Sequence, residues 1–412
     1  MAEFSRTKQI NELIDSIGDG KIKIVTGIRR CGKTYLLKNI LPVQLKERGL
    51  VGAVSDVLVI EINGKNRNIK TKNQLLSFLT NKSNRNSRYV VIDEIQKIKN
   101  FSEVLIGFKQ DYPNRELFIT GSNSKIMSNE ILQHFQEYGH EIHLNPLSFK
   151  EIREEIPQYS IDEYIMYGGL PLIINTEISK REDELKNIYQ ELYESDVKDK
   201  IKNKFVYISK KKIGQILSAI FSTTSEISVK GIASRFSKGL SSSDFDNLEL
   251  QKEIEETIQI LIDSYLIQEF NNDSFNDLNI LHNVGLNKKY YCTDNGLLYI
   301  NCEDHKRKLG IALENAVYLS LTYKGLKPRG KVFLDEKGRK KGEIDFNYHF
   351  DNKDYHIQVT YELMNENYPN EVGNLLFFKD QSFKILVYHN DSSTMARDSS
   401  VKYIDCESFM LE

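Results

Sequence analysis

The chain has 412 residues, 40% of them hydrophobic, and sets 56 Lys and Arg against 58 Asp and Glu for a formal net charge of −2. This balance implies a globular protein of two or three domains and excludes a disordered chain or one drawn to nucleic acid by bulk charge. No apolar run approaches the roughly 18 residues of a membrane span, and Met1-Ala2-Glu3-Phe4-Ser5-Arg6 has no signal-peptide core, so the cytoplasm is the expected location.

Ile10, Leu13, Ile14 and Ile17 recur on one face of an opening amphipathic helix, which Gly18-Asp19-Gly20 stops. Lys21-Ile22-Lys23-Ile24-Val25-Thr26 then reads as a β-branched strand, and Tyr35-Leu36-Leu37-Lys38-Asn39-Ile40-Leu41 as a helix. Between them Gly27-Ile28-Arg29-Arg30-Cys31-Gly32-Lys33-Thr34 fills every position of the pattern G-x-x-x-x-G-K-[ST]. A strand, a glycine turn and a helix N-terminus bring successive backbone N–H groups and the helix dipole onto phosphate oxygens. In that setting Lys33 reaches the β- and γ-phosphates of ATP, and the Thr34 hydroxyl ligates Mg²⁺. An ordinary strand-to-helix turn is the plain alternative, and the flanking elements argue against it. Cys31, inside the loop, reads as a small residue filling space.

Arg88-Tyr89-Val90-Val91-Ile92-Asp93-Glu94 is a short apolar strand ending in two acids. A continuous apolar run suits a central parallel strand buried on both faces, and ligands of such sheets sit beyond the strand C-termini. Asp93 is therefore expected at the Mg²⁺, as a ligand or one shell out, and Glu94 as the general base for the attacking water. Alone, the pair would read as surface acids at a strand end. Leu117-Phe118-Ile119-Thr120 is another buried strand, expected between the first strand and the acid-tipped one. It ends at Gly121-Ser122-Asn123, where Ser122 or Asn123 would hydrogen-bond the water or the γ-phosphate, unless the segment is a simple turn.

With these segments the chain resembles the prokaryotic AAA-family ATPases that carry a winged-helix segment and a C-terminal domain distantly related to restriction endonucleases. Pro146-Leu147-Ser148-Phe149-Lys150-Glu151 and Tyr167-Gly168-Gly169-Leu170-Pro171 add to the resemblance. It implies an α/β P-loop core with a parallel sheet and helical lid over residues 1–205, a winged-helix domain over 206–300 and a restriction-endonuclease-like α/β domain over 301–412. It also implies an Arg shortly before the fifth strand. This chain reads Glu137-Tyr138-Gly139-His140 there, so no trans-acting or sensing arginine is assigned.

In the middle region, helical faces formed by Ile213, Ile216, Leu217 and Ile220, by Val229, Ile232, Ala233 and Phe236, and by Ile254, Ile258, Leu261 and Ile262 precede two paired strands around Tyr265–Phe270 and Lys288–Cys292. The third helix would enter a DNA groove by position. It carries Glu249, Glu253, Glu255 and Glu256 against Lys252 alone, a balance that the DNA backbone would repel. A protein-contact module is the expectation, and DNA is not favoured as a partner.

The C-terminal region opens with a helix holding Leu309, Leu313, Ala316 and Val317, followed by strands at Lys331–Leu334, Glu343–Phe346 and Tyr355–Thr360. In the resembled nuclease arrangement a helix Glu, a strand Asp and an E-x-K motif hold a metal. Glu314 and Asp345 match, Gln358 replaces the Glu and Thr360 the Lys, so a vestigial site is implied, with a surface α/β domain carrying incidental acids as the plain alternative; Lys340 or Lys341 could take the lysine's role but are expected in the solvated turn with Glu336-Lys337-Gly338-Arg339. Cys31, Cys292, Cys302 and Cys406 show no C-x-x-C spacing and the eight histidines no metal pattern.

The expected function is an ATP-binding, ATP-hydrolysing conformational switch with an unidentified protein partner, compatible with assembly of identical copies and without a membrane. The rivals are an ATP-gated DNA-binding or DNA-cleaving protein and a nucleotide-responsive scaffold with negligible turnover.

Overall fold

The computed structural model describes residues 2–121, 135, 137–201, 205, 208–223, 226–235, 248–274, 287–303, 308–334 and 340–412. Contacts divide the chain into one unit of residues 1–146 with 263–265, and another of residues 147–262 with 266–412.

The first unit is built on a five-stranded sheet of order β2-β3-β4-β1-β5. Its strands are β1 (Ile22–Thr26), β2 (Leu58–Glu61), β3 (Tyr89–Asp93), β4 (Glu116–Thr120) and β5 (Gly139–His143). Every adjacent pair is parallel. As the sequence predicts, β4 lies between β1 and the acid-tipped β3, and all three are buried along their full length. Removing these Ile, Val, Leu and Phe side chains from water stabilises the sheet by roughly 1.5–3 kcal/mol each. Against one face pack Leu75 and Leu79 of the helix Lys72–Thr80, and Phe101, Leu105 and Phe108 of the helix Phe101–Asp111. The opening helix spans Thr7–Asp15 and buries Ile10 and Leu13. One charge sits inside β1. Lys23 is wholly buried, with its ammonium 2.5 Å from Glu116 Oε2 and 2.9 Å from Asp19 Oδ1. A buried cation needs such partners, because desolvation alone would oppose it.

In the second unit the helices Phe149–Glu155, Ile161–Tyr167, Pro171–Ile174 and Arg181–Leu192 come first. Expected as a lid on the P-loop core, these helices group instead with the second unit. Ser148 and Ser160 cap two of them, accepting from the N–H of Glu151 and Glu163 while each Glu side chain reaches back. Such reciprocal caps satisfy two otherwise orphaned donors. The helices Lys210–Phe221, Val229–Arg235 and Leu248–Asp263 follow, with a small antiparallel sheet of order β6-β9-β7: β6 (Ile227–Ser228), β7 (Ile267–Phe270) and β9 (Asn287–Cys292). Phe236, expected on the second of these helical faces, lies outside the described residues. Of the four acids on the third helix, Glu253 is buried and accepts from the backbone N–H of Ile208 at 3.0 Å.

The larger sheet has the order β14-β13-β12-β11-β10-β8. It comprises β8 (Asn272–Ser274), β10 (Arg329–Leu334), β11 (Lys340–Phe350), β12 (Lys353–Leu363), β13 (Phe383–Asp391) and β14 (Val401–Asp405). β10, β11 and β12 are antiparallel, while β12, β13 and β14 run parallel. β8 pairs with β10, so residue 300 does not mark a break: a segment before it completes the C-terminal sheet.

Two motifs without chemistry of their own meet in this unit. The Leu147 N–H donates to the Gly169 carbonyl at 2.7 Å, and a Cβ on Gly169 would lie 2.0 Å from the Leu147 carbonyl oxygen. Gly168 has φ 72° and lies against Asp294, whose buried carboxylate accepts from the Gly169 and Leu297 N–H groups at 2.8 and 3.2 Å. Burial pushes the Asp294 carboxyl up to about 6, against the pull of these and further backbone N–H groups. The clasp ties the Tyr167–Pro171 turn to the start of the helix Asn295–Asn301.

Candidate nucleotide site

β1 delivers its last residue, Thr26, directly into the loop Gly27 to Gly32. Gly27 takes φ 134° and Gly32 φ 106°, a region that glycine alone enters freely. Gly27 is doubly constrained, since a Cβ there would come within 2.1 Å of the Leu144 carbonyl oxygen at the end of the neighbouring strand. Arg30 also adopts positive φ, at 68°. Cys31 is fully buried, as its space-filling role predicts, and its N–H donates to the Ile28 carbonyl at 3.3 Å. Gly32 then opens the helical run Lys33–Tyr35, which continues through a π-helical turn, Leu36–Ile40, into Leu41–Glu47.

Lys33 bends back across the loop, its ammonium donating to the carbonyls of Gly27 at 2.7 Å and Ile28 at 2.9 Å. The Thr34 hydroxyl donates to Asp93 Oδ1 at 2.9 Å, joining the loop to the tip of β3. Burial raises the Asp93 carboxyl, an effect opposed by the Thr34 hydrogen bond, reinforced by Glu94, relieved by Lys38 and reinforced again by Glu61. Lys38, from the π-helical turn, is ion-paired with Glu61 at the end of β2. Glu61 and Asp93 are register partners, so three strand-end acids share this corner with Lys33 and Lys38. Glu94 sits at φ 61°, and its Oε2 accepts from Gln96 Nε2 at 2.6 Å.

Lys33, Thr34, Asp93 and Glu94 therefore converge at one edge of the sheet. Thr34 and Asp93 are hard oxygen donors that suit Mg²⁺, which takes one or two protein ligands and fills the rest of its shell with phosphate oxygens and water. Ile28, Arg29 and Arg30 complete the loop. Ser122 and Asn123 lie outside the described residues. β4, which leads to them, ends in the buried Thr120.

Several residues at this site escaped the sequence reading. The Arg6 guanidinium is buried and donates to the Cys31 carbonyl at 2.9 Å, anchoring the loop from a segment with no motif. Thr26 Oγ1 donates to Glu141 Oε1 at 2.7 Å and lies 3.2 Å from His143 Nδ1. His143, read as ordinary, is held below its usual range by burial, with Glu141 opposing and Lys33 adding to the shift. Its sequence spacing from His140 carried no signal, because the partner is on β1.

Glu314, Asp345 and Gln358, expected to form a vestigial nuclease site, also come together, in the second unit. Their charge balance is not the one expected. Glu314 Oε1 accepts from the Tyr291 hydroxyl at 2.7 Å, and the fully buried Lys289 ammonium lies 2.6 Å from it. Asp345 Oδ2 accepts from the Val359 N–H at 2.7 Å. Burial, with Glu314 next in effect, drives the Asp345 carboxyl well up, and Lys289 opposes. Gln358 hydrogen-bonds Glu371, which burial pushes up to about 7. Thr360 accepts from Asn367 Nδ2 at 3.3 Å and donates to the Glu362 carbonyl. The cation beside these acids is thus Lys289 of β9, not Lys341, which lies over the Phe377 ring; the Lys340 side chain is outside the described residues. Sequence distance hid Lys289: it precedes Glu314 by 25 residues, in a segment read as part of another domain. Among the described residues no group of three or more His, Cys, Asp and Glu side chains is placed to hold a metal ion. No described helix is long and apolar enough to cross a membrane.

Residues 19–153 match a protein-family model described as an AAA domain. Residues 158–304 match a second, described as a domain of unknown function (DUF8612). An uncharacterized protein of Methanocaldococcus jannaschii is 29% identical over 387 residues, covering 89% of this chain and 81% of its own. An uncharacterized protein of Haemophilus influenzae is 25% identical over 398 residues, covering 94% of this chain and 93% of its own. Among solved structures, ORC2 of Aeropyrum pernix in ADPNP–ADP complexes overlays with a TM-score of 0.36 at 11% identity, over 75% of this chain and 92% of its own. AMPPCP-bound DnaA of Aquifex aeolicus gives 0.27 at 13%, over 64% and 89%; overlays at these scores are partial. The family match, the parallel sheet and the glycine loop agree: residues 19–153 form an AAA-type P-loop nucleotide-binding domain.

Proposed function

We propose that the chain binds Mg-ATP at the P-loop, hydrolyses it, and uses the cycle as a conformational switch. The single observation that carries this reading is the hydrogen bond from Thr34 to Asp93, which unites the two oxygen donors an Mg²⁺ ion needs. Bound there, the ion would polarise the phosphoryl oxygens and offset charge developing on them. The remaining work falls to the chain. The loop N–H groups orient the triphosphate. Lys33 exchanges two carbonyl partners for phosphate oxygens, a stronger, charge-assisted contact. Glu94, beyond the end of β3, holds the attacking water and takes its proton. In the free protein its Oε2 is engaged by Gln96, so that bond gives way when the water is seated.

In the second unit, this reading assigns residues 206–300, apart from β8, to a winged-helix protein-contact module and the C-terminal sheet with β8 to a restriction-endonuclease-like frame. The Lys289–Glu314 pair and the neutral Gln358 support a structural role for that frame's acidic cluster. The test is phosphate release by the full chain with Mg-ATP, beside Lys33→Ala. Wild-type turnover, with nucleotide affinity roughly tenfold to a hundredfold weaker in Lys33→Ala, is expected from losing charge-assisted hydrogen bonds. Equal affinity in the two proteins would remove the assignment.

A further inference from the structure

The larger sheet of the second unit carries a row of rings that lines a cavity. Tyr348 of β11, Tyr355 of β12 and Phe383 of β13 are successive cross-strand partners. Their rings stack at centroid distances of 4.8 and 5.2 Å with interplanar angles of 6° and 21°. These steps match the spacing of adjacent strands, so the row continues by one member per strand. It reaches Phe383, which is 47% exposed. On β14 the register places Val401 beside Lys384, so the position following Phe383 in the row belongs to Ser400, which has no ring and whose hydroxyl donates to Asp398 Oδ1 at 2.6 Å. A cavity of about 600 Å³ runs along the row to this point, lined by all three rings and by Ser399, Ser400, Lys324, Lys384 and Lys402 among others.

The walls are charged as well as aromatic. Three lysines line the cavity against one acid, Glu412. Lys402 Nζ lies 2.8 Å from Glu412 Oε1. Lys384 is ion-paired with Asp380 Oδ1 at 3.6 Å and turned toward the Asp380 carbonyl and the Ser382 hydroxyl, at 3.3 and 3.4 Å, which leaves Lys324 and Lys402 as the cations that face a ligand. Lys324 donates to the Phe409 carbonyl at 3.2 Å and lies over that ring. A greasy helix or a lipid tail would find too many ammonium groups here, and a simple anion would leave the ring face unused. A planar ring bearing an anion uses both.

We propose that this cavity binds a nucleobase together with its phosphate. The base extends the ring row as its fourth member, against the exposed Phe383 ring, over which the Lys353 ammonium also lies at 5.3 Å from the centroid. The Ser399 hydroxyl donates to base or sugar, the Ser400 oxygen, whose proton Asp398 holds, accepts from it, and the phosphate takes Lys402 from Glu412, with Lys324 behind it. Stacking tolerates any base, so the site reads nucleotide chemistry and not sequence. A free nucleotide and a single strand share that chemistry. The inference stands on the second unit alone and does not depend on the P-loop reading.

The chain has no tryptophan, so Phe383→Trp in the full-length protein places the sole indole at the end of the row. Its emission is titrated with uridine monophosphate, with short oligothymidylate, with thymidine and with inorganic phosphate. Saturable quenching by uridine monophosphate or oligothymidylate is expected, weakened about tenfold or more when Lys402→Glu is added. Equal affinity for the two identifies the free nucleotide as sufficient, and markedly tighter oligothymidylate binding identifies a single strand. As a second measurement, Phe383→Ala should weaken binding of labelled uridine monophosphate or oligothymidylate, whichever quenches, about fivefold to a hundredfold, the size of one base–ring stack. No saturable quenching by either ligand, or quenching by thymidine as strong as by the monophosphate and indifferent to Lys402→Glu, would overturn the proposal.

Discussion

The hydroxyl of Thr34 donates to Oδ1 of Asp93 across 2.9 Å, joining the first helical turn after the loop to the tip of β3, 59 residues later in sequence. The bond holds both oxygens on one side of the sheet and keeps a buried carboxylate from standing alone. It also defines what replacement at either end should do.

Thr34→Ala removes the hydroxyl and leaves Asp93 buried with one partner fewer. Mg²⁺-dependent nucleotide binding should weaken about tenfold to a hundredfold, the usual cost of disturbing a metal's oriented ligands. Thr34→Ser restores the donor and should recover most of it. Titration of fluorescent ATP at fixed Mg²⁺ checks both. Equal binding by Ala and Ser variants would contradict the pairing.

Gly169→Ala should destabilise the second unit by about 2–4 kcal/mol, in the range of severe backbone or packing clashes. Its Cβ would meet the Leu147 carbonyl oxygen, a backbone atom that cannot rotate away. Gly107→Ala, inside the helix Phe101–Asp111 where no atom lies within 4 Å of the new Cβ, is the control and should be stabilising by about 0.5–1 kcal/mol. Thermal melts decide, and a Gly169→Ala melt equal to wild type would show that the clasp yields.

Glu371 gives a pH dependence whose sign follows from its environment. Burial, aided by Glu314 and Glu343 and opposed by the Gln358 hydrogen bond, raises it from 4.5 to about 7 in the folded protein. The folded state therefore holds this proton more tightly, so the group's contribution is fully present below about pH 4.5 and is lost as pH rises through about 7. Glu371→Gln lacks that loss. The melting temperature of the variant relative to wild type should climb from pH 5 to pH 8. A flat or falling difference would contradict the burial of this carboxyl.

Much of the nucleotide site was legible because it is local. The loop is eight consecutive residues, and β3 delivers both acids as neighbours. The sheet order was partly legible too, since unbroken apolar runs mark buried parallel strands. What stayed hidden was set by distance. Arg6 reaches Cys31, Thr26 reaches Glu141, and Lys289 reaches Glu314 only after folding brings separate elements together. Lys23 shows the same limit. A lysine between two isoleucines gives no hint that Asp19 and Glu116 will neutralise it in the core. The Tyr167–Pro171 motif was conspicuous by sequence but its reason was not. It exists because two glycines must pass Leu147 and Asp294 without side chains.

In the proposed cycle the acids at the end of β3 divide the labour of ATP hydrolysis, Asp93 serving the metal and Glu94 the water. The most direct test is Glu94→Gln in the full-length chain, with ATP affinity and steady-state phosphate release measured on the same preparation. Mg-ATP affinity should be unchanged and turnover reduced about 10²–10⁴-fold, the span of a general base. Wild-type phosphate release by Glu94→Gln would contradict this division.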